Sequence, residues 1–312
     1  MNLTNNEKHY NTLNNYYKTK YGKKVVKVSL NMNFTCPNKD GKKGYGGCIY
    51  CSHLGSGDFA GNKEKTIEEQ FKEIKEIMNK KWPDSYYIPY FQANTNTYAP
   101  LEKLIPLFEK AIILDKNVKE IAIGTRCDCL EDDKIEYLSS LNKRCHTVIE
   151  LGLQTSNEKT GLLLNRCHTN LEFEECVKKL KEHNLEVVVH IMNGLPYETK
   201  EDMLNTIRFL NKLNIDGIKI HELCILRDTK IYELYKEKTW HLPSLEEYSK
   251  IVCDQLEILN PNVIVHRLCA DAPLKDLVEP MWTVKKMVVM NEIDKEMRKR
   301  GSFQGDLYNP NI

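Results

Sequence analysis

No stretch of this sequence approaches the roughly 18 consecutive apolar residues of a membrane span. The N-terminus, MNLTNNEKHYNTLNNYYKTKYGKK, is polar and offers no apolar secretory core, so the chain reads as cytoplasmic with no membrane partner. Net charge is also lacking: 45 Lys and Arg against 44 Asp and Glu leave +1, so no global positive field argues for nucleic acid. No Ser/Gly linker and no low-complexity tract divides the 312 residues, a length that suits one large α/β domain or two smaller ones. Cysteine is not scarce. Eleven of them in a chain read as cytoplasmic make a poor disulfide framework, which turns the reading toward metal binding and thiol chemistry.

Three cysteines fall in one stretch, CPNKDGKKGYGGCIYC, as Cys36, Cys48 and Cys51. The intervening loop carries Gly41, Gly44, Gly46 and Gly47, and glycine lets backbone fold closely around a bulky object. Three thiolates on a pliable loop suit a cubic iron–sulfur cluster or a metal ion. The count matters, because a structural site is normally closed by four ligands and a catalytic one keeps a position open. On this stretch alone a zinc site stays open, with His53 as fourth ligand. A C-x-x-C redox pair at Cys48 and Cys51 also stays open, although Cys36 would then be idle.

Around the loop, strand and helix patterns alternate. Strands are predicted over 24–30, 86–92, 118–124, 147–153, 186–192 and 217–222, with helices over 66–80, 101–114, 132–141, 171–183 and 200–213. Such succession implies parallel strands joined by right-handed crossovers. Six units instead of eight predict an α/β fold with a partial (β/α)6 TIM-type barrel. The predicted division is an N-terminal extension over 1–23, the barrel core over 24–225, and an α-rich C-terminal extension over 226–312 that covers the barrel. The last contains helices over 245–259 and 284–300 and a strand over 263–267.

Parallel barrels place their active sites at the carboxyl ends of the strands, and polar residues gather there. Asn94, Thr95, Asn96 and Thr97 follow the second strand, and Arg126, Cys127, Asp128 and Cys129 the third. Glu150, Gly152 and Gln154 share one face of the fourth. His190, Gly194 and Pro196 end the fifth, and His221 the sixth. Arg126 and Asp128 read either as substrate contacts or as an ion pair within the barrel. Cys127 and Cys129 read as buried small hydrophobes or as a thiol site with Cys145, Cys167 or Cys269. His190, His221 and His266 read as core hydrogen-bonders or ligand contacts.

The stretches CPNKDGKKGYGGCIYCS, GSGDFAGN, YFQANTNTYAP, IGTRCDCL, ELGLQTSNEKTGLLLNRCH, HIMNGLPYET, MWTVKKM and GSFQG together point to a family. The chain resembles the radical S-adenosylmethionine (SAM) superfamily and, within it, the YhcC/YtqA group related to the elongator-type and coproporphyrinogen oxidase-type enzymes. It departs from the common C-x-x-x-C-x-x-C spacing, with eleven residues between Cys36 and Cys48, as in the elongator-like branch. It also carries Cys127 where relatives often carry proline, and His190 where some carry an aspartate facing the SAM ribose. The resemblance implies a [4Fe-4S] cluster held by Cys36, Cys48 and Cys51, with SAM chelated at the remaining iron and cleaved to a 5′-deoxyadenosyl radical. It implies SAM contacts from Tyr50, Asn94, Thr95, Asn96, Thr97, Glu150, Gln154, Arg166, His190, Gly194 and Pro196. Candidate substrate contacts are Arg126, Asp128 and His221.

The resemblance further implies a tRNA substrate, with 5-carboxymethylaminomethyl-(2-thio)uridine at the wobble position converted to 5-aminomethyl-(2-thio)uridine. An electron donor of flavodoxin or ferredoxin type and a partner tRNA methyltransferase come with that reading. Basic runs (Lys18, Lys20, Lys23, Lys24 and Lys27; Lys39, Lys42 and Lys43; Arg298, Lys299 and Arg300) and the tyrosines Tyr10, Tyr16, Tyr17 and Tyr21 are then expected to meet phosphates and bases. The alternatives are a radical SAM enzyme acting on a small metabolite and a non-catalytic zinc-binding RNA adaptor.

Overall fold

The computed structural model describes residues 8–55 and 57–310; residues 1–7 of the expected N-terminal extension, Ser56 in the stretch after Cys51, and the last two residues lie outside the described residues. Helix α1 (Leu13–Tyr21) precedes a regular alternation. Its members are β1 (Val25–Leu30), α2 (Ile67–Lys81), β2 (Tyr86–Phe91), α3 (Leu101–Ile112), β3 (Glu120–Thr125), α4 (Asp132–Asn142) and β4 (His146–Gln154). Two helices, α5 (Glu158–Leu163) and α6 (Asn170–Glu182), lead to β5 (Glu186–Asn193), α7 (Lys200–Asn211) and β6 (Gly217–Glu222). The remainder comprises β7 (Ile225–Leu226), α8 (Lys230–Lys236), α9 (Leu245–Ile258), β8 (Ile264–Arg267), β9 (Leu277–Glu279) and α10 (Lys286–Arg300). Capping boxes fix where several helices begin: Thr66 with Glu69, Thr169 with Glu172, Thr199 with Asp202, and Ser244 with Glu247.

Seven strands form one parallel sheet in the order β1-β2-β3-β4-β5-β6-β8. That is one strand more than the six-unit reading. β8 comes from the segment expected only to cover the barrel, yet Ile264 and Val265 pair with Gly217 and Ile218 of β6. Both faces of the sheet are buried, so its strands read as near-continuous apolar runs. The outward residues, among them Val28, Phe91, Ile123, Ile149, Val189 and Ile220, pack beneath the helices as the main core. The inward residues divide into an apolar floor and a polar layer nearer the mouth. The floor is Val25, Ile88, Ala122, Val148 and Val188, joined by Tyr17 of α1.

Helix α1 therefore closes the lower end of the barrel. Val265 N donates to Asn11 O at 2.8 Å, which ties the segment before α1 to the β8 edge. The Tyr17 hydroxyl, Lys20 Nζ and the Tyr21 hydroxyl converge on the Glu120 carboxylate at 2.9, 2.7 and 2.7 Å. This corrects one expectation: Tyr10 and Tyr17 are buried and Tyr21 is bonded to Glu120, so these side chains hold the fold and do not await an RNA. Arg300 likewise pairs with Asp254, Glu257 and Glu296, so it is no free phosphate contact.

The GSFQG stretch is a clamp. Gln304 accepts from Asn11 N at 2.9 Å and donates to Asn260 O and Val263 O at 3.0 and 2.8 Å, joining the two ends of the described chain to the start of β8. Glu222, at the end of β6, takes the Thr283 hydroxyl and Ala270 N (3.0 Å) and so docks the C-terminal segment on the barrel. No helix among the described residues is long and apolar enough to cross a membrane.

Candidate active site

The cysteine loop leaves the carboxyl end of β1 and lies across the turn that follows α5. Ile49 N donates to Leu164 O at 3.1 Å, and Asn165 Nδ2 donates to Gly47 O at 2.8 Å. Cys51 N reaches back to Cys48 O at 3.0 Å, closing the C-x-x-C turn. Asn38 Nδ2 donates to Cys48 Sγ at 3.4 Å. Two glycines are required here. A Cβ at Gly44 would collide with Asn38 Oδ1 and stand 2.8 Å from Cys167 Sγ, and Gly47 adopts φ +77°.

The Cys48 thiol lies beside positive charge and hydrogen-bond donors. A hydrogen bond from Cys51, followed by the Arg126 charge and the donors Asn38 and Tyr50, pulls the Cys48 thiol down to about 6. Burial opposes the charged form of Arg126, but the Asp128 carboxylate outweighs it and keeps the guanidinium firmly cationic. Three free thiols, one of them readily ionised, with a guanidinium beside them, fit the thiolate donor set of an iron–sulfur cluster. The zinc reading lacks this support. The His53 side chain, its expected fourth ligand, is exposed.

The residues expected at SAM do not gather at one place. Tyr50 and Gln154 meet: a left-handed backbone at Gln154 (φ 65°) and a bulge in β4 fold its amide over Gly152. The amide accepts from the Tyr50 hydroxyl at 3.2 Å and donates to Gly152 O and Leu153 O at 3.2 and 3.0 Å. A Cβ at Gly152 would strike this amide.

The turn 94–97 is locked by its own side chains. Asn94 accepts from Lys39 Nζ at 2.9 Å. Asn96 Nδ2 bridges Phe91 O and Gly124 O at 3.0 and 2.8 Å, and the Thr97 hydroxyl joins Thr125 and Cys129 O at 2.5 and 2.6 Å. Thr95 is buried. Gly194 takes φ +80° beneath Pro243, and Pro196 is buried beside it.

Arg166 plays another part than the SAM contact implied by the resemblance. Arg166 is buried and gives all five N–H groups to protein acceptors: His168 O, Leu153 O, Thr155 O, Glu158 and Asn170, at 2.6–3.2 Å. No donor of this guanidinium is left for SAM; it holds the β4–α5–α6 connection together. Gly161 makes room for it, since a Cβ there would lie 2.9 Å from the guanidinium carbon. Of the two readings of Arg126 and Asp128, substrate contacts or an ion pair, the structure shows the ion pair, beside the cysteines, and Arg126 Nη2 also donates to Arg166 O at 2.9 Å. Cys127 and Cys129 are buried, and burial pushes the Cys129 thiol up to about 12, as fits small core residues.

Glu150 and His190 do not lie in the Tyr50–Gln154 cluster but in the polar layer of the lumen. There the buried Glu150 carboxylate is shared by Lys27 Nζ, Lys219 Nζ and His190 Nε2, the last at 2.9 Å. Both ammonium groups stand over the Tyr90 ring, 4.9 and 4.8 Å from its centroid. The His221 ring lies 5.6 Å from that of His190. Burial, then Lys219, holds His190 down at about 4. At Lys219 burial outweighs the Glu150 carboxylate and lowers the ammonium to about 7. Burial opposes ionisation of Glu150, but Lys219 and Lys27 outweigh it and hold the carboxyl well below the usual range. Lys27, expected in a basic run that meets phosphates, is instead engaged by Glu150, and Lys219 is not among the expected site residues. Their signal is a lysine at an inward position of a strand, flanked on both sides by apolar residues, as in Val26-Lys27-Val28 and Ile218-Lys219-Ile220.

Comparison with known proteins agrees with this geometry. The Radical SAM superfamily profile matches residues 36–210, more than half of the chain, and the Radical_SAM C-terminal domain matches residues 215–299. The chain is 46% identical over 305 residues to the Uncharacterized protein YtqA of Bacillus subtilis, covering 98% of this chain and 94% of that one. Over 184 residues, 58% of this chain and 33% of the relative, it is 27% identical to a tRNA uridine(34) acetyltransferase of Methanocaldococcus jannaschii. The structure of the archaeal Methanocaldococcus infernus Elp3 superimposes with a TM-score of 0.69 at 18% identity, covering 90% of this chain and 64% of that chain. With three cysteines at the mouth of a parallel half-barrel and a relative alike over nearly its whole length, the chain belongs to the radical SAM superfamily, whose cofactors are a [4Fe-4S] cluster and S-adenosylmethionine.

Proposed function

We propose that this radical SAM enzyme modifies the wobble uridine of tRNA, converting 5-carboxymethylaminomethyl-(2-thio)uridine to 5-aminomethyl-(2-thio)uridine. The observation that carries the reading is the lumen: a polar layer of Glu150, Lys27, Lys219, His190 and His221 lies inside a barrel that carries its cysteine loop at the mouth. The name of the tRNA uridine(34) acetyltransferase relative supports the substrate class, and the match to it covers about half of this chain.

Cys36, Cys48 and Cys51 would hold the cluster, and the Tyr50–Gln154 pair with the locked turn 94–97 would frame SAM. When bound, these cofactors supply a 5′-deoxyadenosyl radical able to take hydrogen from an unactivated C–H bond. The chain's own work is positional. Arg126 keeps positive charge at the thiolates, the floor of Val25, Ile88, Ala122, Val148 and Val188 closes the lumen from below, and a target base enters from the mouth after leaving its stack. Hydrogen removal from the carboxymethyl methylene next to nitrogen, loss of one further electron from that carbon to a one-electron acceptor of iron–sulfur type, and hydrolysis of the resulting C=N bond by water would release the carboxymethyl unit as glyoxylate and leave the aminomethyl amine. An electron donor of flavodoxin or ferredoxin type and a methyltransferase that acts on the aminomethyl product complete the scheme.

Mass spectrometry of tRNA from cells lacking the gene tests it. The expected result is accumulation of the carboxymethylaminomethyl nucleoside with loss of the aminomethyl and methylaminomethyl forms. Unchanged levels of all three contradict the proposal.

A further inference from the structure

The polar layer is not electrically balanced. Lys27 and Lys219 both bind Glu150, and among the described residues Glu150 is the one carboxylate that touches either ammonium. Arg267, beside Lys219 on β8, is already paired with Asp271 at 2.7 Å. With both amines protonated, two ammonium groups on one carboxylate leave a surplus of a single positive charge inside a barrel, where an unmatched charge is unfavourable.

The surroundings sharpen the mismatch. His221 Nε2 and His266 Nδ1 are buried and have no hydrogen-bond partner. Both rings line the same lumen: His221 stands 5.6 Å from His190, and His266 occupies the space that a side chain at Gly217 would fill. A core that merely tolerated an ion pair would satisfy its polar atoms. Nor is the layer sealed, since the Lys27 side chain keeps 19% of its exposure and that of His190 24%. Below it the apolar floor stops any deeper partner, so what completes the layer must come from the mouth.

We infer that the lumen is a carboxylate subsite, in which Lys27 and Lys219 receive the carboxylate of the substrate group undergoing chemistry and His221 supplies a further hydrogen bond. A surplus of one charge suits a monoanion better than a doubly charged phosphate. The lowered proton affinity of Lys219 has the same origin, a cation buried with too little negative charge, and an incoming carboxylate would raise it. Glu150 acts here as a positioning residue that holds both ammonium groups over Tyr90. The inference deepens the wobble-uridine reading and rests on it, since it assigns the carboxymethyl end of that side chain to these residues.

The test uses the reconstituted holoenzyme and two synthetic anticodon stem-loop RNAs, one carrying 5-carboxymethylaminomethyluridine and the other its neutral carboxamide. A charge-assisted contact predicts a KM about tenfold or more lower for the acid. That preference shrinks toward unity in Lys27→Met and in Lys219→Met. Equal KM values for both RNAs with the wild-type enzyme overturn the proposal, and so does a preference that survives both variants. A second measurement is independent of the RNA and of any variant. Crystals of the holoenzyme soaked in sodium bromide are expected to show an anomalous peak within hydrogen-bonding reach of Lys27 Nζ and Lys219 Nζ. No bromide in the lumen overturns the subsite. Bromide bound there while neither RNA is consumed upholds the anion subsite and removes the tRNA reading instead.

Discussion

Arg126 grips Asp128 through two parallel hydrogen bonds, Nε to Oδ1 at 2.8 Å and Nη2 to Oδ2 at 2.9 Å, beside the loop that carries the three cysteines. Both side chains are nearly enclosed, at 11% and 4% exposure, so each is costly to leave alone. Arg126→Met strands a buried carboxylate and is expected to cost about 3–5 kcal/mol of folding stability. The double variant with Asp128→Leu removes the stranded charge and should recover much of that loss. Urea unfolding of the two single variants and the double variant gives the coupling; simple additivity of the two single losses contradicts the pairing.

Gly161 and Arg166 make a second test, because here glycine is needed for space within a helix. In an exposed helix Gly→Ala gains about 1 kcal/mol. At Gly161 the new methyl would lie 2.9–3.2 Å from the Arg166 guanidinium, whose five donors are all engaged, so the guanidinium cannot easily retreat. Gly161→Ala is expected to destabilise by about 1–3 kcal/mol in thermal unfolding. A gain in stability would show that Arg166 is not held as described.

The lower end of the barrel predicts an acid dependence. Burial opposes ionisation of Glu120, but Lys20 and the Tyr21 hydroxyl outweigh it and depress its folded value below the ordinary 4.5. The folded state therefore binds this proton more weakly than the unfolded chain does. The contribution of Glu120 is complete above pH 4.5 and is lost as pH falls through the depressed value. Thermal unfolding from pH 6 to pH 3 should show a drop that is smaller in Glu120→Gln. Identical pH profiles for the two proteins would mean that α1 is not anchored through this carboxylate.

Much of this architecture is legible in the sequence, and the misses have physical causes. Period-2 and period-3.6 patterns place the six strands of the alternation and the helices between them, because each buries a face that its residues must match. The strand at Ile264–Arg267 is equally visible, but its partner is not: pairing with β6 depends on where α9 returns the chain. The N-terminal tyrosines look like RNA contacts by composition alone. Tyr17 turns inward because the barrel needs an apolar plug, and Tyr21 because Glu120 needs donors.

The cysteine triad is local and shows at once. The lumen is not, since Lys27, Glu150 and Lys219 come from three separate strands and nothing local pairs them. The motif resemblance places Arg166 at SAM, whereas its burial and its five protein acceptors tie it to the fold.

The central claim is that Cys36, Cys48 and Cys51 hold a [4Fe-4S] cluster at which SAM is cleaved. Anaerobic reconstitution with iron and sulfide, followed by SAM and dithionite, tests it most directly. The account predicts about four irons per chain, a brown protein absorbing near 400 nm, and 5′-deoxyadenosine as product, with all three lost in Cys36→Ala, Cys48→Ala and Cys51→Ala. A colourless protein that takes up zinc and forms no 5′-deoxyadenosine would contradict it.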